Sequence, residues 1–213
     1  MKTLTGTEVR DLFLSSEFKQ GLEEMSSYLA SIMQERPIVH LLAKCLWKRG
    51  YKFALERERH IDLSVNGKAI EFKFNHDKCQ ERLKIELDRY GDNLPKMWER
   101  VQAREISKSW SVMARIYGDA CVKRPDIFVW IICSRDLSGV KDDDLDHICL
   151  GHDQYEYNTA HPYATDEAHL SVVDLFLQKL QAVRPFSLLK QSIQTNGDFA
   201  STYHFRICEF QLG

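Results

Sequence analysis

The sequence predicts an α/β fold in which a central mixed β-sheet is flanked by helices, and three observations carry that prediction. Asn66-Gly67 lies between two runs of period-2 hydrophobicity, the signature of a hairpin whose type I′ turn needs φ > 0 at both central residues. Phe128 to Cys133 is continuously apolar, as in a strand covered on both faces of a sheet. Apolar residues spaced by 3 and 4 before and after these strands mark amphipathic helices.

The 213 residues suffice for one sizeable core. We read one domain over 1–213, with an N-terminal helical extension (1–36), a core (37–135) and a C-terminal elaboration (136–213). Hydrophobic residues at 44% and charged residues at 28% match an ordinary soluble globule. No run of 18 apolar residues occurs, so no membrane span is expected. The first residues, MKTLTGTEVRDLF, lack an apolar signal core and carry Glu8 and Asp11, which predicts the cytoplasm. Six cysteines without a C-x-x-C read as free buried thiols rather than disulfides or a structural zinc site. A net charge of −2 requires any nucleic-acid-binding charge to be concentrated on one surface.

In chain order, Thr5-x-x-Glu8 has the pattern of a capping box, and Ser16 begins a second helix. Phe18, Leu22, Met25, Leu29, Ile32 and Met33 then form one apolar stripe, which packs on the parent core or on a subunit interface. Residues 37–49 read as a largely buried helix stopped by Gly50, with Pro37 at its start or as a break, and His40 as a core or boundary histidine. Tyr51, Phe53 and Leu55 alternate with polar partners in a first strand ending near Glu56 or Glu58.

The hairpin follows, HIDLSVNGKAIEFKF from His60 to Phe74. Ile61, Leu63 and Val65 share one face with Ile70, Phe72 and Phe74; Asp62, Glu71 and Lys73 share the other. A two-residue turn sets Val65 against Lys68, Ser64 against Ala69, Leu63 against Ile70, Asp62 against Glu71 and His60 against Lys73. Two opposed carboxylates repel as a bare pair, and a divalent cation between them reverses that sign. Spacing alone therefore points to a metal site at Asp62 and Glu71.

Asp77 caps a helix through about Tyr90, closed by Gly91. Asn93 to Arg124 is mostly helical, in two pieces meeting near Ser107. Its basic residues Lys96, Arg100, Arg104, Lys108, Arg115, Lys123 and Arg124 form either a solvated face or a phosphate-contacting surface. Pro125 precedes the apolar core strand. From Lys141 to Glu167 acids dominate and the chain reads as irregular; His147, Cys149 and His152 are ligand-capable, but no second cysteine cluster supports zinc. Thr165 or Asp166 caps a helix bearing Leu170, Val173, Leu177 and Leu180. PFSLLKQSIQTNGDF reads as a weakly patterned connection, and Tyr203 to Phe210 as a closing strand.

An Asp, a short hairpin and Glu-x-Lys in a hydrophobic strand (Asp62, Glu71, Lys73) resemble the PD-(D/E)xK nuclease superfamily, which includes many restriction endonucleases. Ile61 stands where the family name has Pro. The resemblance covers roughly residues 37–135, where the order helix, three strands, helix, strand also agrees. It implies a restriction-endonuclease-like core and a metal-dependent endonuclease that hydrolyses nucleic-acid phosphodiesters, with duplex DNA as the expected substrate. Asp62 and Glu71 would hold Mg²⁺, or Mn²⁺ in its place, with the Phe72 carbonyl as a further ligand. Lys73 would orient the attacking water or stabilise charge on the phosphate. Glu56 is preferred over Glu58 as a third carboxylate. The resemblance also suggests a homodimer. Two other readings are a non-catalytic nucleic-acid-binding or assembly protein on the same fold and an unrelated metal-dependent hydrolase.

Overall fold

The structure is a computed structural model and describes residues 4–28, 35–57, 61–76, 79–135, 170–196 and 201–211. Seven α-helices and six strands are described: α1 (Gly6–Leu14), α2 (Ser16–Tyr28), α3 (Glu35–Lys48), β1 (Phe53–Arg57), β2 (Ile61–Val65), β3 (Lys68–His76), α4 (Cys79–Tyr90), α5 (Leu94–Gln102), α6 (Val112–Tyr117), β4 (Ile127–Arg135), α7 (Ser171–Val183), β5 (Phe186–Thr195) and β6 (Ser201–Phe210). A π-helical turn, Gly118–Val122, continues α6.

The strands form one mixed sheet in the order β1-β2-β3-β4-β6-β5. Only β3 and β4 run parallel, joined by a crossover through α4, α5 and α6; the other neighbours are antiparallel. Period-2 alternation sends β4 side chains to both faces, as its unbroken apolar sequence requires. Ile127, Val129 and Ile131 join α1, α2 and α3 in one core, with Leu63, Ile70, Phe72 and Phe205. Phe128, Trp130 and Ile132 join α4 to α7 in the other. The fold is thus α/β, with helices on both faces of the sheet.

Local signals explain most of the boundaries. Thr5 Oγ1 accepts from the Glu8 N–H (3.2 Å), and Glu8 Oε2 accepts from the Thr5 N–H (3.0 Å), completing the capping box. Ser15, one residue before the expected start, bridges α1 to α2: its hydroxyl donates to Leu12 O (2.6 Å) and accepts from the Phe18 N–H (3.3 Å). Phe18 and Leu22 are buried in the same core as the sheet. Phe13 stacks on Phe205 at 4.3 Å between centroids, so the first helices form part of the main core. Gly50 ends α3's connection at φ +78°, a conformation glycine adopts without strain.

One expectation about the C-terminal part needs correction. Residues 186–195 are not a weakly patterned connection but a ten-residue strand, paired with β6 from Phe186↔Phe210 to Thr195↔Ser201. β6, the closing strand, therefore lies between β4 and β5. The expected helix caps Asp77, Thr165 and Asp166 and the ligand-capable His147, Cys149 and His152 lie outside the described residues, as do Leu29, Ile32 and Met33. Among the described residues, no helix is long and apolar enough to cross a membrane.

Candidate active site

The hairpin turn forms as its residues dictate, with Asn66 at φ +50° and Gly67 at φ +87°. Val65↔Lys68, Ser64↔Ala69 and Leu63↔Ile70 pair in the expected register, and the ladder ends there. Asp62 and Glu71 therefore share a level without being ladder partners. Beyond Ile70, two N–H groups on the β2 side of β3 are taken by carboxylates. Phe72 N–H donates to Asp62 Oδ2 (2.8 Å), and Phe74 N–H donates to Glu35 Oε2 (3.1 Å). Side-chain oxygens replace a missing strand, which fixes both carboxylates to backbone. His60, expected opposite Lys73, lies outside the described residues.

Glu71 and Lys73 project from β3 toward the π-helical turn. Glu71 is 2% exposed. Its Oε1 accepts from the Lys123 ammonium, while Oε2 is buried with no hydrogen-bond partner. Lys123 Nζ also lies 3.1 Å from Asp119 Oδ1. Lys73 Nζ lies 3.3 Å from Asp119 Oδ2 and 3.7 Å from Glu35 Oε2. The result is an alternating chain, Glu71–Lys123–Asp119–Lys73–Glu35, with Asp62 beside it. Four carboxyl groups face two ammonium groups, so full ionisation would leave an excess of two negative charges.

That excess shows in the proton affinities. Burial pushes the Glu71 carboxyl up to about 8 against the pull of Lys123, and the charges of Asp62 and Asp119 raise it further. Asp62 and Glu35 are also raised, in each case chiefly by burial. Burial opposes the charge on Lys123, but Glu71 and Asp119 more than offset it and hold the ammonium above its ordinary value.

The π-helical turn is what presents Asp119 and Lys123. The Lys123 N–H donates to Gly118 O (3.0 Å), an i to i+5 bond that widens the turn. Both ends of the segment are anchored. Glu86, buried on α4, accepts from Ser111 Oγ (3.0 Å) and from the Val112 (3.2 Å) and Met113 (2.8 Å) N–H groups at the start of α6. At the other end Arg184 donates to Ala120 O (2.6 Å) and Pro125 O (2.8 Å), with its guanidinium 3.6 Å from the Phe210 ring centroid.

A cavity of about 640 Å³ opens over the cluster, with Glu35, Arg36, His40, Asp62 and Lys123 among its lining residues. His40 is exposed there rather than in the core, because it falls one helical turn beyond Arg36 on the outer side of α3. Glu56 lies in β1, but its side chain is outside the described residues. A strand residue's N–H and C=O leave on the same side, so the Phe72 carbonyl shares the gap its N–H shares with Asp62.

Of the seven basic residues, Lys123 reaches the cluster and Arg124 follows it in sequence. Lys96 and Arg100 instead flank a separate depression of about 250 Å³. Arg100 bonds Glu105 (2.9 Å) and lies 5.2 Å from the Tyr90 ring centroid. Lys108 lies 5.7 Å from that of Trp98. Arg104 is exposed and Arg115 half-buried. These side chains do not converge on one cavity.

Sequence reasoning missed Glu35 and Asp119. Glu35 had one legible signal, an acid in the first turn of a helix, where the dipole favours it. Asp119 and Lys123 are four apart, a helical pairing distance visible in GDACVK.

Magnesium fits this donor set: hard carboxylate oxygens are gathered with excess negative charge, and one buried Glu71 oxygen is unsatisfied. Among the described residues, however, no three or more His, Cys, Asp or Glu side chains form a preassembled metal-binding group; ammonium groups stand between the acids. Comparison with protein-family models, curated proteins and solved structures found no match.

Proposed function

We propose that this protein is a metal-dependent endonuclease with a restriction-endonuclease-like core, hydrolysing phosphodiester bonds in nucleic acid, with duplex DNA as the first substrate to test. The observation that carries the proposal is the meeting of Asp62, Glu71 and Lys73 with Glu35 and Asp119 where the β2–β3 ladder ends. An ordinary solvated hairpin gives no reason to bury Glu71 with an unsatisfied oxygen.

In this reading Asp62 and Glu71, with the Phe72 carbonyl, would hold Mg²⁺ or Mn²⁺. The bound cation would supply Lewis acidity and a more acidic water. The Phe72 N–H fixes the Asp62 carboxylate, so its position costs no reorganisation during the reaction. Asp119 and Glu35 hold the Lys73 ammonium, which orients the attacking water and stabilises charge on the phosphate. Lys123, which lines the cavity, contacts the substrate backbone, while Lys96, Arg100, Arg104, Lys108, Arg115 and Arg124 contribute through the wider surface. A homodimer would supply one site per strand.

Purified protein should cut plasmid, linear duplex or single-stranded substrate with Mg²⁺ or Mn²⁺ and stop on adding EDTA. Asp62→Asn, Glu71→Gln and Lys73→Ala should each reduce the rate roughly 10²-fold or more, with Lys73→Ala leaving substrate binding largely intact. Cleavage undiminished in both carboxylate variants would refute this site. Salt-sensitive binding without cleavage would favour the binding-protein reading.

A further inference from the structure

We infer that Lys123 is the resident counter-cation of the carboxylate site, holding Glu71 and Asp119 together and competing with the divalent cation for their oxygens. The inference rests on the metal-dependent reading proposed above. It starts from a difference between two lysines. Lys73 lies between Asp119 Oδ2 and Glu35 Oε2 and is not ion-paired with Glu71. Lys123 sits on Glu71 Oε1, with Asp119 Oδ1 at 3.1 Å. It therefore occupies an oxygen that a cation held by Glu71 must use or pass.

Lys123 is also placed to leave. Its side chain retains 26% exposure and lines the cavity, and a four-carbon stem can swing an ammonium outward without moving the backbone. A divalent cation beside Glu71 would repel that ammonium, so the two cannot share the carboxylate on equal terms. Outward movement carries the charge toward Arg36 on the cavity wall, where a phosphate would meet both. Lys123 is thus a positioning residue: without the metal it neutralises the site, and with the metal it becomes available to an anion.

The test needs no nucleic acid. Mn²⁺ is titrated into the full chain and free Mn²⁺ is followed by electron paramagnetic resonance. Lys123→Met, which keeps a long stem without charge, should bind about tenfold more tightly than wild type; Lys123→Arg should not. Equal or weaker binding by Lys123→Met would overturn the inference while leaving the metal reading intact. Absence of Mn²⁺ binding in wild type and variant alike would overturn both. A second measurement covers a variant that does not fold: in the wild type, acylation of Lys123 by an N-hydroxysuccinimide ester, mapped by mass spectrometry, should accelerate several-fold at saturating Mn²⁺. An unchanged rate at Lys123 would refute its displacement.

Discussion

Glu71 keeps one oxygen on Lys123 and buries the other without a hydrogen-bond partner. Its proton affinity therefore ties the site to stability. The folded value is about 8, against 4.5 for an ordinary glutamate. Between those values the folded state holds a proton that the unfolded state has released. Stability from this group is thus present at low pH and lost as pH rises through about 8. Asp62 and Glu35 are raised by burial and act in the same direction. In EDTA, the urea midpoint of the wild type should fall between about pH 5 and pH 8, and Glu71→Gln should flatten that fall. Parallel profiles for the two proteins would show that Glu71 is ionised throughout.

At the scale of elements, the segment carrying Asp119 and Lys123 is held by buried polar contacts as well as apolar packing. Glu86 accepts three hydrogen bonds at the start of α6. Glu86→Ala leaves two backbone donors and a hydroxyl without that acceptor and should destabilise the fold by on the order of 3 kcal/mol. Chemical denaturation measures this directly; a loss within about 0.5 kcal/mol would show that water replaces the carboxylate. Elements with strong local patterns were legible in the sequence. Asn66-Gly67 marked β2, β3 and their register, the run from Phe128 marked β4, and Gly50 marked the end of the helix before them. β5 was not, because its exposure alternates poorly and Lys190 and Gln191 interrupt any apolar run. Asp62, Glu71 and Lys73 could be nominated because one hairpin carries all three. Glu35 and Asp119 could not, since they arrive from different elements and meet only when the chain folds.

Over the whole molecule, β4 and β6 couple the two cores. Val129 and Ile131 face one core while Phe128 and Trp130 face the other, and β6 divides in the same way through Phe205 and Cys208. Neither helical layer can leave without exposing the sheet that the other layer needs. Far-UV circular dichroism and tryptophan fluorescence should therefore report one coincident urea transition. Fluorescence receives a core contribution from Trp130, fully buried and edge-on to Phe176 at 6.1 Å. Two separated transitions would mean that the layers unfold independently.

The Asn66-Gly67 turn also acts as a parity switch. Strand side chains alternate with period 2, so the number of residues in the turn decides which of two interleaved sets on β2 faces the cavity. With two residues, Asp62 faces the cluster and Leu63 the core. An odd insertion absorbed as a register slip would exchange them, burying an acid in the core that holds Ile70 and Phe72 and turning Leu63 toward the charged cavity. The site is therefore encoded by a count as much as by residue identity: a chain that kept every acid and lysine but changed that count would have the right chemistry facing the wrong side of the sheet.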